Sequence, residues 1–261
     1  MTTKEPILTI RNLFKRYGQG DWVLSGIDLE IYPGQVIGYI GPNGAGKSTT
    51  VKILTGLLGD YEGDITILGG DLHRDALEIK GKIGYIPENA ELYDVLTPME
   101  YLRFVAGLYG LSDDVFTGRA RRMLEAFGLL PHADSRMDTF SKGMKQKVLI
   151  ISGLMHNPRI IFMDEPLSGL DANAVIIFKE IISRLASEGK TIFYCSHMMD
   201  VVEKVSDRII LIGDGKIIAD GPFKELQEQA QGKSLEGIFA QLTGHGDLSG
   251  SAEQFLDAFD Q

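Results

Sequence analysis

Residues 35–58, QVIGYIGPNGAGKSTTVKILTGLL, constrain the fold more tightly than any other part of this chain. A short apolar block runs into a Gly-rich turn and then into a helical pattern. The turn GPNGAGKST matches G-x-x-x-x-G-K-[ST] and sits between a strand and a helix, where that pattern must sit. Its glycines let the backbone wrap a phosphate chain with N–H groups, backed by the positive end of the following helix. Gly41, Pro42, Asn43, Gly44, Ala45, Gly46, Lys47, Ser48 and Thr49 are therefore the candidate phosphate cradle. Lys47 is placed to reach the β and γ phosphates of a bound nucleotide and Ser48 to offer a hydroxyl to Mg²⁺.

The rest of the chain reads as α/β around that unit. ILTIRNLF, VLSGIDLEI, QVIGYI and GDITILG are strand-like blocks separated by Gly, Pro and Asp turns. From about residue 97 to 157 the pattern turns helical. Thr97, Pro98 and Glu100 supply a cap, a first helical position and a capping box, and two further helices follow, DVFTGRARRMLEAFGLL and GMKQKVLIISGLMHN. Strand–helix alternation resumes with RIIFMD, DANAVIIFKEIISRLASEG and TIFYCS, then an Asp-Gly hairpin in RIILIGDGKIIADG. The expected fold is a P-loop NTPase core with a mainly parallel sheet, an N-terminal antiparallel β subdomain and an inserted α-helical subdomain. Residues 1–244 form the expected domain, ending with a small helix in SLEGIFAQLTG, and 245–261 an acidic tail.

A phosphate cradle needs an acidic strand end to hold the metal. RIIFMDEP supplies Asp164 as the candidate Mg²⁺ contact, through water, and Glu165 as the group that polarises an attacking water; Pro166 turns the chain beyond them. FSKGMKQK, Phe140 to Lys147, is more ambiguous. Its three lysines could form a nucleic-acid patch or a solvated helix face, or Ser141 and Gly143 could open a helix toward a phosphate. The chain carries 26 Lys plus Arg against 36 Asp plus Glu, a net charge of -10, which weighs against a nucleic-acid partner. Lys145 and Gln146 are expected along the first helical turns and Lys147 on the surface. The single cysteine, Cys195, rules out an internal disulfide and reads as a small buried hydrophobe, although it shares a strand face with His197. The first ten residues lack a signal-peptide core, and no apolar stretch is long enough to span a bilayer, so a membrane role would run through a partner.

In the order GPNGAGKST, FSKGMKQK, IIFMDEP, SGLD and YCSH, the motifs resemble the ATP-binding subunits of ABC transporters, from about Ile7 to Gly244. The resemblance implies further roles. Tyr17 matches the aromatic that stacks on adenine, while the neighbouring Trp22 reads as packing. Asp171 matches the loop linking two sites of a dimer and also looks like a helix N-cap. His197 matches a switch residue at the γ-phosphate and joins Glu165 and Lys47 as a catalytic candidate. Ser141 and Gly143 would cap the γ-phosphate of a second copy. Two departures stand out: Glu88 occupies the place of a family glutamine that touches Mg²⁺, and Lys142 and Met144 replace a glycine and a glutamine of the signature. Such variants, with PENAELYDVLTPMEYL and SLEGIFAQLTG, resemble the branch that powers ABC-2-type exporters. The implied partners are an integral membrane permease inserting a short helix near Glu88 to Leu96, and a second ATP-binding subunit in a homodimer or pseudo-dimer, with no nucleic acid. The implied location is cytoplasmic, peripheral on the inner face of the cell membrane. The alternative is a soluble ABC ATPase working in assembly or in nucleic-acid and translation processes.

Overall fold

A computed structural model describes residues 5–89, 91–230 and 234–242. Two sheets organise them. The first is antiparallel, ordered β2-β1-β4-β5 from β1 (Leu8–Arg16), β2 (Trp22–Ile31), β4 (Glu62–Ile67) and the two-residue β5 (Gly70–Asp71). The second runs β10-β9-β3-β8-β7-β6. Its members are β3 (Val36–Ile40), β6 (Ile83–Ile86), β7 (Ile160–Asp164), β8 (Thr191–Cys195), β9 (Arg208–Gly213) and β10 (Lys216–Gly221). All of its pairs are parallel except the β9–β10 hairpin, whose Asp214 and Gly215 both take positive φ, as a tight two-residue turn requires.

Every residue of β3, β7 and β8 is buried, which explains why these strands read as unbroken apolar runs: a parallel sheet is covered on both faces. Alternate residues feed two cores. Ile37, Tyr39, Phe162 and Phe193 pack toward the antiparallel sheet and α1 (Lys47–Leu54), while Val36, Ile161, Met163 and Tyr194 pack toward the remaining helices. Tyr39 and Phe162 both pack against Phe193, with ring centroids 4.8 and 5.8 Å away.

Between β6 and β7 lie α3 (Pro98–Leu108), α4 (Asp113–Ala126) and α5 (Lys142–Leu154). The start of α3 is fixed by the full capping box: the Glu100 amide donates to Thr97 Oγ1 and the Thr97 amide to Glu100 Oε2. After β7 comes α6 (Ala172–Ser187), capped by Asp171, whose Oδ1 accepts from the Ala174 amide at 2.9 Å. Four further helices are short: α2 (Ala76–Lys80), α7 (Met199–Val205), α8 (Phe223–Gln229) and α9 (Leu235–Leu242). Three of these, α2, α7 and α8, are absent from the sequence reading, because five to seven residues hold too few turns for a 3.6-residue period to show. Trp22 is partly packed: its ring meets Phe14 edge-on at 5.4 Å and the Arg16 guanidinium at 4.7 Å, and it stays 39% exposed. The Gly-rich break and acidic tail from residue 244 lie outside the described residues.

Candidate functional site

The sheet order sets the site. β3 lies beside β8, and β8 beside β7, with Tyr39 and Asp164 both in register with Cys195. The C-terminal ends of these three strands therefore deliver the Gly41–Thr49 loop, the Asp164–Glu165 pair and the Ser196–His197 step to one edge, where open α/β sheets bind ligands. A cavity of about 670 Å³ there is lined by Gly44, Lys47, Ser48, Glu88, Glu165 and His197, among others.

Gly46 opens α1 with φ 105°, and a Cβ at this position would come within 2.5 Å of the Leu24 side chain. The loop can close against β2 only without a side chain there. No acidic residue lies in the first turn of α1, so its positive end is not offset by a local carboxylate. The Lys47 ammonium is nearly buried and donates to the carbonyls of Gly41 and Pro42 at 2.7 and 3.1 Å, which holds it across the cradle.

Asp164 is 3% exposed and hydrogen-bonded by the Ser48 hydroxyl. Burial raises its pKa; the nearby Glu165 and Glu88 charges add to this, and Ser48 and Lys47 oppose it. Its Oδ1 has no hydrogen-bond partner among the described residues. Glu88 lines both this cavity and an adjoining one of about 520 Å³ that also includes Ser48, Asp164 and Tyr101. Ser48, Asp164 and Glu88 thus form an all-oxygen donor set, with a buried carboxylate oxygen free to accept a ligand. Hard Mg²⁺ fits that set. Among the described residues no three His, Cys, Asp or Glu side chains converge into a self-sufficient cage. Mg²⁺ commonly completes its shell with water and phosphate oxygens instead.

Glu165 sits at φ 46°, a left-handed conformation that costs a non-glycine residue on the order of 1–3 kcal/mol. Its amide donates to the Cys195 carbonyl at 3.0 Å, which ties it to the neighbouring strand. Its Oε2 lies 2.7 Å from His197 Nδ1 and accepts from the His197 amide at 3.3 Å and the Ser196 hydroxyl at 3.4 Å. Ser196 was not singled out in the sequence, although a serine directly between a buried strand end and a histidine was the available signal. Val23, which also lines the cavity, gave no such signal, because its place there comes from the fold of β2. Tyr17 stands 52% exposed at the mouth of the loop, its phenol oxygen 3.5 Å from Thr49 Oγ1 and the Lys15 ammonium 5.0 Å from its ring centroid. This is not the environment of a core tyrosine.

Ser141, Gly143 and Asp171 do not join this cavity. Ser141 caps α5, its Oγ accepting from the Met144 amide at 3.2 Å. A Cβ on Gly143 would meet the Gly169 carbonyl oxygen at 2.5 Å, so glycine is needed where the first turn of α5 touches the Gly169 loop. The lysines of FSKGMKQK are each held. Lys142 donates to Ser168 Oγ at 3.0 Å, Lys145 pairs with Asp94 at 3.2 Å and Lys147 with Asp171 at 2.9 Å. Lys147 is half-buried, its side chain 15% exposed, which corrects the expected surface position: it lies against the exposed Asp171 instead of extending into solvent. That hydrogen bond, with the Ala174 amide, lowers the Asp171 pKa.

Cys195 is fully buried, and burial pushes its thiol well up, so little thiolate forms at neutral pH. The ring nitrogen of His197 meets Glu165 instead. Iodoacetamide should therefore label Cys195 about 100-fold more slowly in the native protein than in urea. Comparable rates measured by mass spectrometry would contradict this burial.

A phosphate loop, an acidic strand end and a helical insert define an ATP-binding cassette. Residues 24–168 match the family described as ABC transporter, a span that includes the phosphate loop, Glu88, the α5 segment, Asp164 and Glu165. The linearmycin resistance ATP-binding protein LnrL of Bacillus subtilis is 37% identical over 252 residues, covering 97% of this chain and 78% of that protein. A solved ATP-binding subunit of an ABC transporter superposes with a TM-score of 0.85 at 33% identity, over 91% of this chain and 99% of that one. The ATP-binding cassette MJ0796, seen as a dimer with ADP and Pi, superposes with a TM-score of 0.76 at 27% identity, over 82% and 98%. The chain belongs to the ABC transporter family as an ATP-binding subunit, and it is an ATPase.

Proposed function

We propose that this chain is the ATP-hydrolysing motor of an exporter, working as a head-to-tail dimer around two ATP molecules beneath an integral membrane permease. One observation carries the reading: Lys47, Ser48, Glu88, Glu165 and His197 line one cavity, while Ser141 and Gly143 open a separate helix away from it. A chain with one phosphate loop and one spare helix start is complemented by a second copy or a second ATP-binding subunit, whose Ser141 and Gly143 equivalents meet the γ-phosphate. In that arrangement Asp171 and the Gly169 loop lie near the joint, and Tyr17 stacks on adenine.

The reaction is in-line hydrolysis of the β–γ bond. Lys47 and the loop amides orient the phosphates and offset their charge; Glu165 holds and deprotonates the attacking water; His197 reports the γ-phosphate to Glu165. Ser48, Asp164 and Glu88 would hold Mg²⁺, which supplies charge neutralisation at the phosphates when bound. Glu88→Ala is expected to raise the Mg²⁺ concentration for half-maximal ATPase activity by about tenfold. An unchanged Mg²⁺ dependence and rate would show that Glu88 takes no part.

The permease helix docks in the groove beside Glu88, which contains Tyr101 and Leu149 and is near the exposed Tyr93 and Phe104. Among the described residues no helix is long and apolar enough to cross a membrane, so attachment to the inner face runs through that partner. The resistance role in the name of LnrL supports export. Expressed in its own cell, the chain should co-purify with an integral membrane protein. Recovery with ribosomes or a soluble assembly complex would favour the non-transport reading.

A further inference from the structure

A third cavity, of about 450 Å³, shares no lining residue with the nucleotide cavity. It lies near the start of β7, at Pro158 and Ile161, whereas the nucleotide edge lies at the other end of that strand. Its wall is aliphatic and aromatic: Phe127, Ile151, Leu154 and Ile161 are buried, and Ile181 and Leu185 of α6 close it. Its rim is cationic. Arg119 and Arg122 come from α4 and Lys190 from the turn after α6, against Glu188 as the one acid among the lining residues. In a chain of net charge -10 this is a local reversal of sign.

Burial lowers the pKa of Lys190, and the nearby Glu188 charge partly opposes this. Arg119 Nη1 donates to the Met155 carbonyl at 2.6 Å and Lys190 Nζ to the Asn157 carbonyl at 3.3 Å, both main-chain acceptors. Arg122 stands exposed beside them. The field is felt next door: burial lowers the pKa of His156, the Arg119 and Lys190 charges lower it further, and the hydrogen bond to the Ile83 carbonyl opposes them.

An apolar chamber of ligand size with two guanidinium forks and an ammonium at its mouth fits one chemistry: a flexible apolar tail carrying a single anionic head. We propose that this cavity binds a single-chain carboxylate amphiphile, with its tail against Ile151, Leu154, Ile161 and Leu185 and its carboxylate between Arg119, Arg122 and Lys190. Such a ligand touches α4 and α5 on one side and β7 and α6 on the other, and so bridges the helical insert to the sheet. The site goes beyond the proposed export function and does not depend on it.

The test is isothermal titration calorimetry of the full chain with decanoate below its micellar concentration, compared with decyltrimethylammonium. Decanoate is expected to bind saturably at one site, at least about tenfold tighter than the cation. Octanoate should bind about fourfold more weakly for each methylene removed. Arg122→Glu, an exposed change outside the nucleotide machinery, should weaken decanoate at least about tenfold while ATPase activity stays unchanged. Equal binding of anion and cation, absence of saturable binding, or an Arg122→Glu protein that binds decanoate like the parent would each overturn the proposal.

Discussion

Glu165→Gln is expected to lower kcat for ATP hydrolysis by about 10²- to 10⁴-fold while leaving ATP affinity nearly unchanged. The substitution keeps the size and planarity of the side chain. An amide oxygen can still accept from the His197 and Ser196 donors that now meet Oε2 at 3.3 and 3.4 Å. What is lost is the capacity to take a proton from water. A thousandfold fall corresponds to about 4 kcal/mol of transition-state stabilisation. The left-handed backbone at φ 46° should persist, since the hydrogen bond from the Glu165 amide to the Cys195 carbonyl does not involve the side chain. Single-turnover ATPase kinetics and nucleotide-binding titration separate the two quantities. A kcat within about threefold of the parent would place water activation elsewhere.

Phe162→Ala is expected to cost about 3–5 kcal/mol of stability. Phe162 is fully buried at the middle of β7, two residues before Asp164, with its ring 5.8 Å from that of Phe193. Truncation leaves a cavity between the sheet and its α1 side, and the close-packed neighbour Phe193, held by Tyr39 in turn, can fill little of it. With total stability on the order of 5–15 kcal/mol, this is a large fraction. Thermal unfolding should shift downward by about 10 °C. A shift under about 2 °C would mean that the aromatic layer repacks freely.

Much of this architecture was legible because local signals agreed with the global fold. The buried strands β3, β7 and β8 read as continuous apolar runs. Thr97, Ser141 and Asp171 each announced a helix start, and the structure gives each the expected cap bond. The phosphate loop was legible because its glycines answer a steric demand, as the close approach of Gly46 to Leu24 illustrates. What was not legible depends on contacts between distant segments. Lys147 reads as a surface lysine until Asp171, 24 residues away, is folded against it. The place of Lys142 depends on a distant segment too: its stem lies over Gly169 and its ammonium reaches Ser168. Glu165 gave no sign of its left-handed backbone or of its amide hydrogen bond across to β8. The cationic rim near β7 gathers Arg119, Arg122 and Lys190 from segments some 70 residues apart, so no window of sequence contains it.

Sedimentation velocity of the Glu165→Gln protein, with and without saturating ATP and Mg²⁺, bears on the proposed two-copy site. A monomer that becomes a dimer on adding nucleotide, and returns to monomer when Ser141→Arg is combined with it, is the expected result. A Glu165→Gln protein that binds ATP yet sediments as a monomer would contradict the shared site.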